Sequence, residues 1–144
     1  MSFAERSTTS VAGVWTPPRI GAAVVGAVYT LAGLLGFFVT GFSGFASSQG
    51  HSLLGFHVNP LHNFVHLAIG LAGLALSRRD STARTYGWLL AIGYGATFLF
   101  GLFAVNNPDI NFLAINGADN VLHAVSALAG LAIALWPRRG ATDR

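Results

Sequence analysis

The chain contains no lysine and no cysteine, and its only methionine is Met1. The lack of cysteine excludes disulfides, iron–sulfur ligation and thiolate metal sites. The lack of an internal methionine excludes a thioether relay for copper. Charge is the other scarcity: charged residues make up 9% of the 144 positions, against 53% hydrophobic. Average soluble domains carry roughly a quarter charged residues. Such a chain cannot clothe a water-facing surface, so its expected solvent and partner is the lipid bilayer. On a polar fold, a net charge of +3 would point to nucleic acid. Here the arginines stand at the ends of apolar runs and form no patch on a polar fold, so nucleic acid is excluded as a partner.

What is present is long apolar runs. A membrane helix needs about 20 mostly apolar residues. Residues 20–42 and 86–105 are uncharged throughout, while 61–76 and 119–136 are apolar after a polar start. The hydrophobicity is nearly continuous and does not alternate, which favours helices over barrel strands. The predicted fold class is therefore all-α, an integral membrane four-helix bundle. At this length one domain is the default. It is assigned to 19–139, between cytoplasmic tails at 1–18 and 140–144, the first of them disordered. A cleaved signal peptide is the rival reading of the first run, but that run is long for an h-region of about 7–15 residues.

Arginine placement sets the expected orientation. Arg6 and Arg19 precede the first run, Arg78, Arg79 and Arg84 lie between the second and third, and Arg138, Arg139 and Arg144 follow the fourth. Loops 43–59 and 106–118 contain none. Positive segments stay inside, which places the protein in the plasma membrane as a multi-pass chain with both termini cytoplasmic.

Two halves of the sequence match. Asn59-Pro60-Leu61-His62-Asn63-Phe64-Val65-His66 recurs as Asn116-Gly117-Ala118-Asp119-Asn120-Val121-Leu122-His123. Arg19, Tyr29, Gly36 and Phe38 match Arg84, Tyr94, Gly101 and Phe103 at one constant offset. The implied architecture is two tandem helical hairpins, a parallel internal repeat about an axis along the membrane normal. Small residues recur every fourth position at Ala22, Gly26 and Thr30, at Gly87, Ala91 and Gly95, and at Ser126, Gly130 and Ala134. Such stripes let helices approach closely in lipid.

The repeated segments also gather the polar chemistry. Asn59-Pro60 is a helix start, and Asp119 can cap the second copy. His62 and His66 are i and i+4, on one helix face, as are Asp119 and His123. If the second and fourth helices face each other, His62, His66, Asp119 and His123 converge near the outer surface. Three readings stay open at this stage. One is structural: helix caps and interhelical hydrogen bonds within a polar cluster of Asn59, Asn63, Asn116 and Asn120, with Asn63 and Asn120 bonding across the bundle. The second is a metal site of three imidazoles and a carboxylate, suited to zinc, iron or manganese. The third is a b-type haem held by His66 and His123, against which no cation lies on that side to pair with propionates. No nucleophile with an adjacent base stands out, which argues against an enzyme. His51 and His57 fall in the first outer loop, solvated or extending the site. The functional expectation is a structural or accessory membrane component, alone, as a homo-oligomer or in a larger membrane complex, with metal binding at the cluster as the alternative.

The Asn-Pro-Leu-His-Asn-x-x-His string at Asn59–His66, with the flanking Leu54-Gly55-Phe56-His57-Val58, and the Asp-Asn-x-x-His string at Asp119–His123 resemble the hallmark segments of a family of small four-helix membrane proteins. That family is classed as a domain of unknown function and is common in actinobacteria. The resemblance runs from about Arg19 to Trp136. It implies a four-span integral membrane protein and no activity.

Overall fold

The computed structural model describes residues 14–138. Arg6, Arg139 and Arg144, the cytoplasmic tail assigned to 140–144 and most of the one assigned to 1–18 lie outside the described residues. Among them the chain forms α1 (Pro17–Thr40), a hairpin of β1 (His51–Leu53) and β2 (Phe56–Val58), α2 (Pro60–Leu76), α3 (Asp80–Ala104) and α4 (Gly117–Leu135). The four helices form a bundle in which α1 packs along α2 and α3 along α4, with α1 and α3 making the closer approach between the two pairs. The backbones of α2 and α4 stay apart.

Each helix boundary has a local cause. Prolines begin α1 and α2, where their fixed φ and missing N–H cost nothing. Asn59 caps α2 by accepting the His62 N–H at 2.8 Å. Asn116 caps α4 in a reciprocal capping box, accepting the Asp119 N–H while the Asp119 carboxylate accepts the Asn116 N–H. The cap of α4 is therefore Asn116, in place of the expected Asp119, which is its partner one turn in. α3 starts six residues earlier than the apolar run at 86–105, because Asp80 favours the positive first turn.

α1, α3 and α4 are long and apolar enough to cross a bilayer. α2, with 17 residues, spans only about 26 Å at 1.5 Å per residue, against a hydrocarbon core of about 30 Å. The outward faces of all four helices are apolar: Phe38, Ile92, Leu128 and Leu71 are all more than half exposed. A water-facing bundle would not leave so much apolar surface uncovered; this is the build of a membrane protein.

The interior is narrow and built on close backbone approach. A Cβ on Gly26 would lie 2.6 Å from the Leu74 nitrogen, and one on Gly130 would lie 2.6 Å from the Ala91 nitrogen and from the Gly87 oxygen. Gly70 and Gly73 of α2 are equally tight, against Thr30 and Tyr86. Gly95 has open space around it, so that member of the small-residue stripe does not mediate packing. At the arginine-rich end, Arg19 donates to the Ser77 carbonyl at the end of α2 at 3.0 Å. Arg84 donates to the Ala134 and Trp136 carbonyls at the end of α4, at 3.2 and 2.6 Å. Each arginine thus satisfies backbone acceptors that the terminating helix leaves open.

Candidate functional site

At the other end of the bundle the loops that join α1 to α2 and α3 to α4 fold over the starts of α2 and α4. Strands β1 and β2 pair antiparallel through the two-residue turn Leu54-Gly55. Both turn residues have positive φ, 54° and 91°, the signature of a type I′ hairpin. Asn116 Nδ2 donates to the Gly55 carbonyl at 2.8 Å, and the His57 N–H donates to Asp119 Oδ2 at 3.0 Å. Asn59 Nδ2 reaches the Ser47 and Phe112 carbonyls at 3.0 and 2.8 Å. Asn59 and Asn116 therefore each cap a helix and tie a loop to it.

Beneath this roof lie His62, His66 and His123, all buried. One ligand-type nitrogen from each falls within 4.8 Å of the others. Two come from α2 and one from α4, so the imidazoles bridge the gap between helices whose backbones do not touch. His62 Nδ1 lies 2.9 Å from the Leu113 carbonyl. A carbonyl only accepts, so Nδ1 carries the proton and a neutral His62 presents the Nε2 lone pair to the interior. That Nε2 is 3.1 Å from His66 Nε2. His123 Nδ1 is buried with no hydrogen-bond partner. A buried polar atom left alone calls for an explanation.

Two tyrosines floor the cluster. Tyr29 meets His66 edge-on at 4.9 Å, and Tyr94 stacks on His123 at 5.4 Å. The two tyrosine rings stack on each other at 5.1 Å. Ser126 donates to the Leu122 carbonyl, so the Tyr29 hydroxyl is the donor in its bond to Ser126. The Tyr94 hydroxyl is buried and unpartnered.

Asn63 and Asn120 sit behind the histidines. Each carboxamide oxygen is buried without a conventional partner. Each lies where a Cβ would stand on a glycine of the paired helix, Asn63 against Gly36 and Asn120 against Gly101. The glycine Cα–H points at that oxygen, a weak donor that only the absence of a side chain makes available. Asn63 also donates to the Thr40 hydroxyl of α1 at 2.9 Å. The expected bonding by Asn63 thus runs between the helices of one hairpin.

Of the four residues expected to converge, three do. Asp119 is not part of the group within 4.8 Å. It is buried, and its Oδ2 accepts the backbone N–H groups of His57 and Asn116. His51 and His57 are exposed on the hairpin. Sequence reasoning did not assign Tyr29, Tyr94 or the Leu113 carbonyl to the site. A signal for the tyrosines existed, since they match each other in the two halves of the sequence.

Beside the trio is a cavity of about 180 Å³, whose lining adds Val65 and Ile69 of α2, Gly93, Tyr94 and Thr97 of α3, and Leu113. None of these lining residues is charged. A larger hollow of about 440 Å³ at the arginine-rich end lies between Trp15, Trp136, Asp80, Arg84 and Arg138; there Asp80 already accepts from Thr16 and Arg84.

Comparison with known proteins gives a family and nothing closer. The family described as Domain of unknown function (DUF4383) matches residues 19–136. No curated protein and no solved structure matches.

Proposed function

The chain belongs to the DUF4383 family, whose description carries no activity, and we propose that it is a four-span plasma-membrane protein that holds one divalent metal ion on His62, His66 and His123. The carrying observation is the convergence of three buried imidazoles from two helices, one with an unpartnered nitrogen. Two nitrogens bound to one tetrahedral metal at about 2.0–2.1 Å stand roughly 3.3 Å apart. The 3.1 Å between the Nε2 atoms of His62 and His66 is close to that. The Leu113 carbonyl fixes the His62 ring as an outer hydrogen-bond partner fixes a metal ligand. Three imidazoles suit zinc, iron or manganese. A b-type haem on His66 and His123 fits less well, because a macrocycle must extend on every side of the axis joining its ligands and the adjoining cavity is about 180 Å³.

The arrangement about the site supports reading the bundle as a parallel repeat of two hairpins. Tyr29 with His66 and Tyr94 with His123, Gly36 with Asn63 and Gly101 with Asn120, and Arg19 and Arg84 on the ends of α2 and α4 are corresponding pairs. With the arginines at one end, the positive-inside rule makes both termini cytoplasmic and puts the histidines on the outer side.

Elemental analysis of the detergent-purified protein tests the metal reading. One equivalent of metal is expected in wild type, falling in each of His62→Ala, His66→Ala and His123→Ala. Added metal should stabilise wild type by mass action. A second reading, a structural or accessory subunit, is favoured by the His62–His66 hydrogen bond and the caps at Asn59 and Asn116. Metal-free protein whose stability does not respond to zinc, iron or manganese selects it.

A further inference from the structure

Three protein ligands leave a metal with an open coordination position, the arrangement of sites that bind a further ligand and not of purely structural ones. The direction from which that position is reached can be read from the lining. From the outer face the way is closed. The Leu113 carbonyl sits on His62, Asn59 ties down the Phe112 carbonyl, and Asn116 and Asp119 hold the hairpin.

Sideways the way is open. The cavity beside the trio runs between α2 and α3 to Val65 and Gly93, both exposed, with Ile69 and Thr97 partly exposed behind them. Gly93 has nothing within 4 Å of the place its Cβ would take. Gly93 and Thr97 lie roughly 20 and 26 Å along α3 from Asp80, within the depth of the hydrocarbon core. The mouth therefore faces lipid.

Resting on the metal reading above, we propose that the open position is served from the bilayer: the cavity takes a small, neutral, lipid-soluble molecule of about one aromatic ring, carrying a nitrogen or oxygen donor to the metal. Size and chemistry agree on this occupant. An apolar cavity of about 150 Å³ accepts benzene, and this one is about 180 Å³. Its wall includes Tyr94, whose ring is already stacked on His123 and Tyr29 and so presents an apolar edge. Its one aliphatic hydroxyl, Thr97, is spent on the Gly93 carbonyl of its own helix at 2.9 Å. No charged side chain lines it, so an ionic ligand crossing it would shed its hydration with no partner before reaching the metal.

The test uses the full chain in phosphatidylcholine nanodiscs, loaded with cobalt(II), whose visible bands report the ligand set. The probes are 4-phenylimidazole, neutral and lipid-soluble, and azide, anionic and water-borne. Saturable change of the bands with 4-phenylimidazole and none with azide is expected. Gly93→Phe should keep the cobalt bands and weaken the 4-phenylimidazole response by roughly tenfold or more, about 1.4 kcal/mol. Val65→Trp, on the opposite lip, should do the same and serves if Gly93→Phe does not fold. Absence of cobalt bands in wild type overturns the metal reading and this inference with it. Cobalt bands that respond equally to azide, or to 4-phenylimidazole in both variants as in wild type, overturn entry from the bilayer alone and leave the metal site standing.

Discussion

Gly36→Ala adds one methyl group at the point where α1 touches Asn63. The new Cβ would stand on the Asn63 carboxamide, whose residue is fully buried. The helix cannot retreat without opening the α1–α2 seam, so the asparagine must turn away and abandon its 2.9 Å bond to Thr40. Overpacking of this kind costs about 1–3 kcal/mol. A lost interhelical hydrogen bond in a membrane protein adds about 0.6 kcal/mol, and alanine's better helix propensity offsets at most ~1 kcal/mol. The expected net loss is about 1–3 kcal/mol. Gly95→Ala is the control: it is in the same kind of helix, with nothing within 4 Å, and should be neutral or slightly stabilising. The assay is unfolding by titration with sodium dodecyl sulfate in mixed micelles, followed by far-UV circular dichroism. Gly36→Ala/Asn63→Ala removes the collision, so the cycle should show coupling of about 1 kcal/mol or more. A Gly36→Ala midpoint equal to that of Gly95→Ala would refute the close-contact argument.

Gly130→Leu should lower the melting temperature in detergent, since its Cβ site is 2.6 Å from backbone atoms of α3; an unchanged melting temperature counts against that contact. Asp119→Asn should be nearly silent, because one amide oxygen can still accept from Asn116 and His57, whereas Asp119→Ala should cost about 0.5–2 kcal/mol as a lost cap partner. Equal loss of bound metal in both variants would instead make Asp119 a ligand. In saturating zinc, stability should rise with pH through the histidine range, because only unprotonated imidazole ligates; a zinc increment as large at pH 4 as at pH 8 would remove the histidines from the site. Reporter fusions after Arg79 should score cytoplasmic and those near Gly50 and Asn111 external, and an external score after Arg79 breaks the orientation.

The helices were legible because continuous hydrophobicity leaves little else for such residues to form. The first turn and a half of α3 was not, since Asp80, Ser81, Thr82 and Arg84 have a loop's composition, and they become helical where Arg84 reaches α4 and Asp80 pairs with Thr16. The β-hairpin escaped notice because its strands have three residues each and only Leu54-Gly55 marks the turn. Within the site, His62 and His66 follow from helical spacing. The arrival of His123 depends on tertiary structure, which spacing alone does not determine. Asp119 had the same i,i+4 pattern, yet two backbone N–H groups claim its oxygen, one from a hairpin that could not be foreseen.

The unequal packing of the helices bears on how the protein is made. α1 lies along α2 and α3 along α4, and an arginine fastens each pair at the arginine-rich end. Each hairpin thus carries the larger part of its helix–helix contact within itself. The histidine trio belongs to neither half: two rings arrive with the first and one with the second. Its completion marks the moment of assembly, and a chain cut in the loop after Ser77 should regain the trio only when both pieces share a membrane.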